Sequence, residues 1–243
     1  MKPFFLFLGG ALSLVGMAVV GLVTTSGLCD WLSILLLLVL LTGIISVGST
    51  KRWLGLLIDE RNEMSLSRFQ MALWTLLILS AFLGMVMVNL YNHKNPLEAM
   101  SSIVIPPTLL VLMGISATSL VGAPLILSIK QNANQPLDTK LGPDEKASFT
   151  DMFLGDDKAN GKCLDLGKLQ MFYFTVILAL AYAVSIGILF TNDGIGAAHP
   201  MQFPALNEQF LVLLGISHAG YLAYKAVPRG GAGASSTPGP TSV

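Results

Sequence analysis

Charge is scarce in this sequence. Of 243 residues, 14 are basic and 14 acidic, or 12%, where an ordinary soluble domain carries about 25%. That shortage excludes an ordinary soluble enzyme and a disordered chain. The net charge is zero, so no basic field draws the chain to nucleic acid. Cysteine is nearly absent too. Cys29 and Cys163 alone make neither a disulfide scaffold nor a zinc motif. The three histidines, His93, His199 and His218, share no metal-ligand spacing, and no metal or cofactor is expected. There is no Gly-x-Ser-x-Gly elbow and no catalytic constellation, so the chain reads as non-enzymatic.

Apolar residues are abundant, at 53%. The charges cluster between uncharged stretches of about 20 residues, enough to cross a bilayer as helices. The expected fold is therefore an all-α, polytopic membrane bundle. Six spans are expected: Phe4 to Thr24, Trp31 to about Val47, Phe69 to Leu90, Ile103 to Ile129, Leu169 to Phe190, and Asn207 to Val227. Pro106 and Pro107 open the fourth, where a first helical turn tolerates proline. The sixth is the weakest, because it contains His218 and closes with Lys225.

With the N-terminus inside, every Lys and Arg except Lys94 falls on the inner side. The positive-inside rule then puts both termini in the cytoplasm. Cys29 and Cys163 fall on opposite sides and cannot bridge. His93 and His199 share the outer side and could share an ion, though without a motif. The first apolar run exceeds the h-region of a signal peptide, roughly 7–15 residues, so a retained helix is expected.

The sequence also repeats. Ser65-Leu66-Ser67-Arg68-Phe69-Gln70-Met71, with Trp74-Thr75, leads into the third span. Asp165-Leu166-Gly167-Lys168-Leu169-Gln170-Met171, with Phe174-Thr175, leads into the fifth at an offset of 100 residues. Leu110-Val111-Leu112-Met113-Gly114-Ile115-Ser116 matches Leu211-Val212-Leu213-Leu214-Gly215-Ile216-Ser217 at nearly the same distance downstream. A gapped echo precedes each copy: Asp59-Glu60-Arg61-Asn62 and Asp156-Asp157-Lys158-Ala159-Asn160. An even number of spans per copy makes these parallel repeats, related by an approximate axis along the membrane normal. The chain thus divides into an N-terminal hairpin (1–50), a first repeat with its lead-in (51–129), a cytoplasmic loop (130–164), a second repeat (165–228) and a disordered tail (229–243).

The pattern Ser-Leu-Ser-Arg-Phe-Gln-Met-x-x-Trp-Thr, followed by Leu-Leu-Val-Leu-x-Gly-Ile-Ser, resembles that of uncharacterised bacterial integral membrane proteins, over roughly residues 55 to 227. The resemblance implies a bacterial inner membrane and no particular activity.

The candidate residues follow from the repeat. Gln70 and Gln170 sit just inside the apolar region, where an amide needs a partner on a neighbouring helix or lines the inner mouth of a pathway. Gly114, Ser116, Gly215 and Ser217 fall near mid-membrane. Small residues four apart suit helix packing, while paired hydroxyls suit a narrow polar path. His218 at that depth either bonds to Ser116 or a backbone carbonyl, or senses protons or ligand. Asp59, Arg61, Arg68, Asp156, Asp157, Lys158 and Lys168 lie in the juxtamembrane segments, as candidates for docking a cytoplasmic partner. Asp or Ser at 165 and 65 would cap helices. Phe149 to Leu154 suggests a short interfacial helix within the inner loop.

Two functions remain. The favoured one is a channel-like or passive transport component, expected as a homo-oligomer. The second is a membrane anchor or scaffold that docks a cytoplasmic partner.

Overall fold

Inside a bilayer every backbone N–H and C=O must be bonded within the chain, which selects helices for long apolar runs. The computed structural model describes all residues except 1–2, 24–25, 94–95, 136, 140–145, 159, 193–199 and 228–243. The described chain is all-helical: α1 (Pro3–Leu22), α2 (Gly27–Thr50), α3 (Leu66–His93), α4 (Pro96–Ser101), α5 (Pro107–Asn132), α6 (Leu166–Asn192) and α7 (Glu208–Ala226). Two short 3-10 turns, Gly55–Leu57 and Phe149–Phe153, precede α3 and α6. Among the described residues there is no strand, only three isolated bridges. The tail after Val227, His199 and the side chain of His93 lie outside the described residues.

Four helices are long and apolar enough to cross a membrane: α2, α3, α5 and α6. In α1 the described apolar run is shorter, Leu6–Val20. α7 is diluted by Glu208, Gln209, His218 and Lys225. Large apolar side chains face outward all along the bundle, including Leu36, Leu79, Val111, Leu125, Ile177, Val184 and Val212. α5 opens at Pro107, its first turn, as expected of proline there. α4 is an addition the hydropathy pattern does not reveal.

The packing order sets the geometry. α1 lies on α2, and α2 lies across both α3 and α6. α3 pairs with α5, α6 with α7, α3 with α6 and α5 with α7. The two helices with matching lead-in sequences, α3 and α6, are therefore neighbours, as are α5 and α7. That is the arrangement of two hairpins displaced sideways, and it differs from a half-turn about a shared axis.

The core is aromatic where α2, α3 and α6 meet. Trp31 stacks on Phe190 with ring centroids 5.8 Å apart, and its indole N–H donates to Ser80 Oγ at 3.1 Å. A side chain at Gly84 would meet the Phe190 ring at 2.8 Å, so this glycine sets how closely α3 and α6 approach. Among apolar lipids such fit, rather than expulsion of water, holds helices together.

Both long hairpins start alike. Before α3, Ile58 bridges Met64, and the Ser65 N–H donates to Leu57 O at 2.8 Å. Before α6, Leu154 bridges Leu164, and the Asp165 N–H donates to Phe153 O at 2.7 Å. In the first loop the Asp59 N–H bonds to Glu63 O, and in the second the Gly155 N–H bonds to Cys163 O. The pinched loop runs over 59–63 in one case and 155–163 in the other, four residues longer. Asp165 also caps α6, accepting from the Gly167 and Lys168 N–H groups at 2.9 and 3.2 Å.

The far end is closed by a polar clasp. Asn89 near the end of α3 accepts from the Met201 N–H at 2.8 Å and donates toward Ser102 Oγ at 3.3 Å. Replacing Asn89 with Leu strands the buried Met201 amide, at a cost of about 1–3 kcal/mol. The expected outcome is a melting temperature several degrees lower than wild type, with Ser102→Ala nearly neutral. Equal melting of Asn89→Leu and wild type would remove the clasp from this account.

Candidate functional site

Charge gathers at one end of the bundle. Every described Lys and Arg lies there, at the starts of α3 and α6, the ends of α2, α5 and α7, or the loops between them. At its centre is Asp156, buried at 6% exposure. Its Oδ1 accepts from Arg61 Nη2 at 2.8 Å and from Lys168 Nζ at 3.1 Å. Its Oδ2 accepts from Lys225 Nζ at 2.8 Å. One carboxylate thus joins the lead-in of α3, the first turn of α6 and the last turn of α7.

A second shell closes around it. Arg61 also pairs with Asp59 and Glu63, both at 3.1 Å. Lys168 donates to Leu154 O at 2.5 Å, and Lys225 donates to the Tyr221 hydroxyl at 3.0 Å. Next in sequence, Asp157 takes Lys130 of α5 at 2.9 Å. The dipeptide Asp156-Asp157 therefore ties one loop to four other elements. That loop is folded rather than merely solvated. Ser148 and Asp151 form a capping box, Met152 is buried, and Phe149 and Phe153 pack on Phe172 of α6.

The electrostatics follow from this geometry. Burial alone would raise Asp156, but Lys225, Lys168 and Arg61 outweigh it and hold the carboxyl well below its usual range. Burial would lower Arg61, but Asp156, Asp59 and Glu63 reverse that and hold it above its ordinary value. Glu63 is the exception. Burial pushes it up to about 7, Asp59, Asp138 and Asp151 add to the rise, and Arg61 only partly opposes it.

The structure redistributes the residues singled out in the sequence. Asp59, Arg61, Asp156, Asp157 and Lys168 are partners of one another or of Lys130 inside the fold, so they do not offer a free docking face. Lys158 stays exposed and Arg68 half-buried. Gln70 is fully buried and donates to Thr175 Oγ1 of α6 at 2.6 Å. Gln170 is exposed and does not mirror it. His218 meets Ser119 rather than Ser116, with Nδ1 and Oγ 2.5 Å apart. Ser116 and Ser217 are buried, and among the described residues their hydroxyls find no partner. Gly114 is exposed with nothing near its absent side chain, and a side chain at Gly215 would meet Ile115 at 3.7 Å. Lys130, Lys225, Glu63 and Ser119 were not singled out by the repeat. The signal for the first two was available: cations in the last turns of helices that end beside an acidic loop.

A cavity of about 300 Å³ lies against this cluster, lined by Arg61, Arg68, Asp156, Lys168, Tyr221 and Lys225 among others. Cys29 and Cys163 sit at opposite ends of the bundle, both as free thiols. Among the described residues no group of His, Cys, Asp or Glu is placed to hold a metal. Comparison with family models, curated proteins and solved structures returns no match.

Two outcomes are expected. Asp156→Asn leaves three buried cations short of their shared anion, and breaking a buried pair costs about 3–5 kcal/mol. Lys158→Gln, on the surface, should stay within about 0.5 kcal/mol of wild type. Similar melting temperatures for the two variants would contradict the hub. The second outcome concerns pH. A raised carboxyl favours the protonated fold, so the Glu63 contribution is full below its ordinary value of 4.5 and is lost as pH rises through about 7. Melting followed from pH 4.5 to 8 should show a decline that Glu63→Gln flattens, and an unchanged slope in that variant would refute the assignment.

Proposed function

We propose that this chain is a non-enzymatic polytopic membrane scaffold, with its charged end on the cytoplasmic side of a bacterial inner membrane. The observation that carries the reading is the ionic hub. Six ion pairs among buried or nearly buried side chains, with a folded loop, hold one end of the bundle as a fixed platform, which suits presenting a surface better than opening a gate. The surface it leaves free includes Lys158, Lys162, Phe149, Leu164 and Leu166, all exposed. These replace Arg61 and Asp156 as the face for a cytoplasmic protein partner. Six spans and both termini inside are part of this proposal. The one-ended placement of Lys and Arg supports it.

The duplication is likewise proposed. It is supported by the matched bridges and backbone bonds before α3 and α6. The likeness to bacterial integral membrane proteins that carry the repeated pattern remains part of the same reading.

A channel-like or passive transport component is the second reading. Within one chain its proposed lining is packed away: Gln70, Ser116, Ser217 and His218 are all buried. A path would have to form between copies in a homo-oligomer. What favours it is the outer face of α5 and α7, where Gly114, Thr118, Ala219 and Gly220 are exposed and would admit close helix approach.

The deciding experiment is native mass spectrometry of the complex extracted gently from its own membrane. The scaffold reading expects a fixed ratio with a protein partner, lost in the double variant Lys158→Glu with Lys162→Glu. A closed homo-oligomer without a partner, together with solute flux in vesicles, would replace it with the second reading.

A further inference from the structure

Arg68 stands among the ion-paired residues of the charged end without joining them. Among the described residues it makes no hydrogen bond or ion pair, although it stands in the first turn of α3 and lines the same cavity as Asp59, Arg61, Asp156, Lys168 and Lys225. It lines the cavity described above, where Arg61, Arg68, Lys168 and Lys225 face two carboxylates, Asp59 and Asp156. Glu63, behind Arg61, adds a third carboxyl that is only partly ionised near neutral pH. The cavity is thus short of negative charge. It also opens against Ser65 and Leu66 at the start of α3; the Ser65 N–H is taken by Leu57 O, but the positive end of the helix dipole there still favours an anion.

Arg68 lines a second space of different character. An apolar groove of about 300 Å³ runs from Arg68 past Met71, Thr75 and Leu76 of α3, between Thr42 and Leu56 on one side and Leu120 of α5 on the other. The two spaces share Arg68 and Leu120. From Arg68 to Leu76 the helix rises about 12 Å at ~1.5 Å per residue, away from the charged end and toward the middle of the bundle. Cation-rich cavity and apolar groove therefore meet at one free arginine, with the polar part at the interface and the apolar part at greater depth.

We infer that this pair of spaces binds an anionic phospholipid, its phosphate seated at Arg68 in the cavity and an acyl chain laid in the groove along α3. A guanidinium suits phosphate because its donors match two oxygens at once. The lipid supplies the negative charge that the cluster lacks, and its chain fills a groove that this chain leaves open. The inference depends on the bundle lying in a membrane and is independent of whether it serves as scaffold or channel.

The test uses the full-length chain in neutral detergent, titrated with dioleoyl phosphatidylglycerol, dioleoyl phosphatidylcholine or inorganic phosphate. Native mass spectrometry counts bound lipid, and thermal unfolding reports affinity. Phosphatidylglycerol is expected to bind at one per chain and raise the melting temperature. Phosphatidylcholine, with the same chains, and inorganic phosphate, without any, should each bind at least about tenfold more weakly. Arg68→Gln should weaken phosphatidylglycerol by about tenfold or more, as loss of a charge-assisted bond requires. Ala72→Phe or Thr75→Leu fills the groove and should weaken it without altering any charge. Lys51→Gln, an exposed cation at the same end, should leave binding unchanged. Three results would overturn the inference. One is equal loss in Lys51→Gln and Arg68→Gln, which marks general surface attraction. Another is phosphatidylcholine binding as tightly as phosphatidylglycerol. The third is inorganic phosphate binding as tightly as the lipid while neither groove variant has an effect, which marks a soluble anion.

Discussion

The carboxylate of Asp156 is shared by three cations from three separate parts of the chain. Arg61 precedes α3, Lys168 opens α6 and Lys225 closes α7. Arg61 has further carboxylates in Asp59 and Glu63, but among the described residues Lys168 and Lys225 pair with no other, and all three cations are buried or nearly so. Taking a charge out of water costs several kcal/mol, which only well-placed partners offset. The arrangement therefore fixes where the loop, α3, α6 and α7 must sit relative to one another. Asp157 extends the constraint to α5 through Lys130.

The rest of the bundle is consistent with that constraint. In lipid, apolar contacts between helices gain little over contacts with acyl chains, so shape and buried polar pairs decide the register. Trp31, Ser80, Phe190 and Gly84 do this where α2, α3 and α6 meet. Gln70 with Thr175, and Ser119 with His218, do it between α3 and α6 and between α5 and α7. Asn89 does it at the far end. Each is a polar contact whose alternative is an unsatisfied group away from water, so each selects one packing over its neighbours.

Hydropathy made the helices legible, because spans of this length have a period-free apolar signal that needs no partner to interpret. The gathering of Lys and Arg at one end was legible for the same reason. The partner of Gln70 was half-written in the repeat, since Thr175 belongs to the matched pattern. What could not be read was which residue of a matched pair in the sequence is covered. The face of α3 that carries Gln70 meets α6, while Gln170 at the matched place in α6 is exposed. Charged loop residues default to the surface, so Asp59, Arg61 and Asp156 read as docking groups. Their burial depends on Lys225 folding back from far along the chain, and no local pattern encodes that.

The account turns on the claim that Asp156 and its cations act as one unit. A double-mutant cycle tests it directly, with Asp156→Asn, Lys225→Met and the pair compared by thermal unfolding in the same detergent. Residues that share a buried network show coupling of about 0.5–3 kcal/mol, and the account predicts the upper part of that range, with the double variant more stable than the sum of the single losses allows. Strictly additive losses would mean that the two side chains hold the fold independently, and the hub would have to be abandoned.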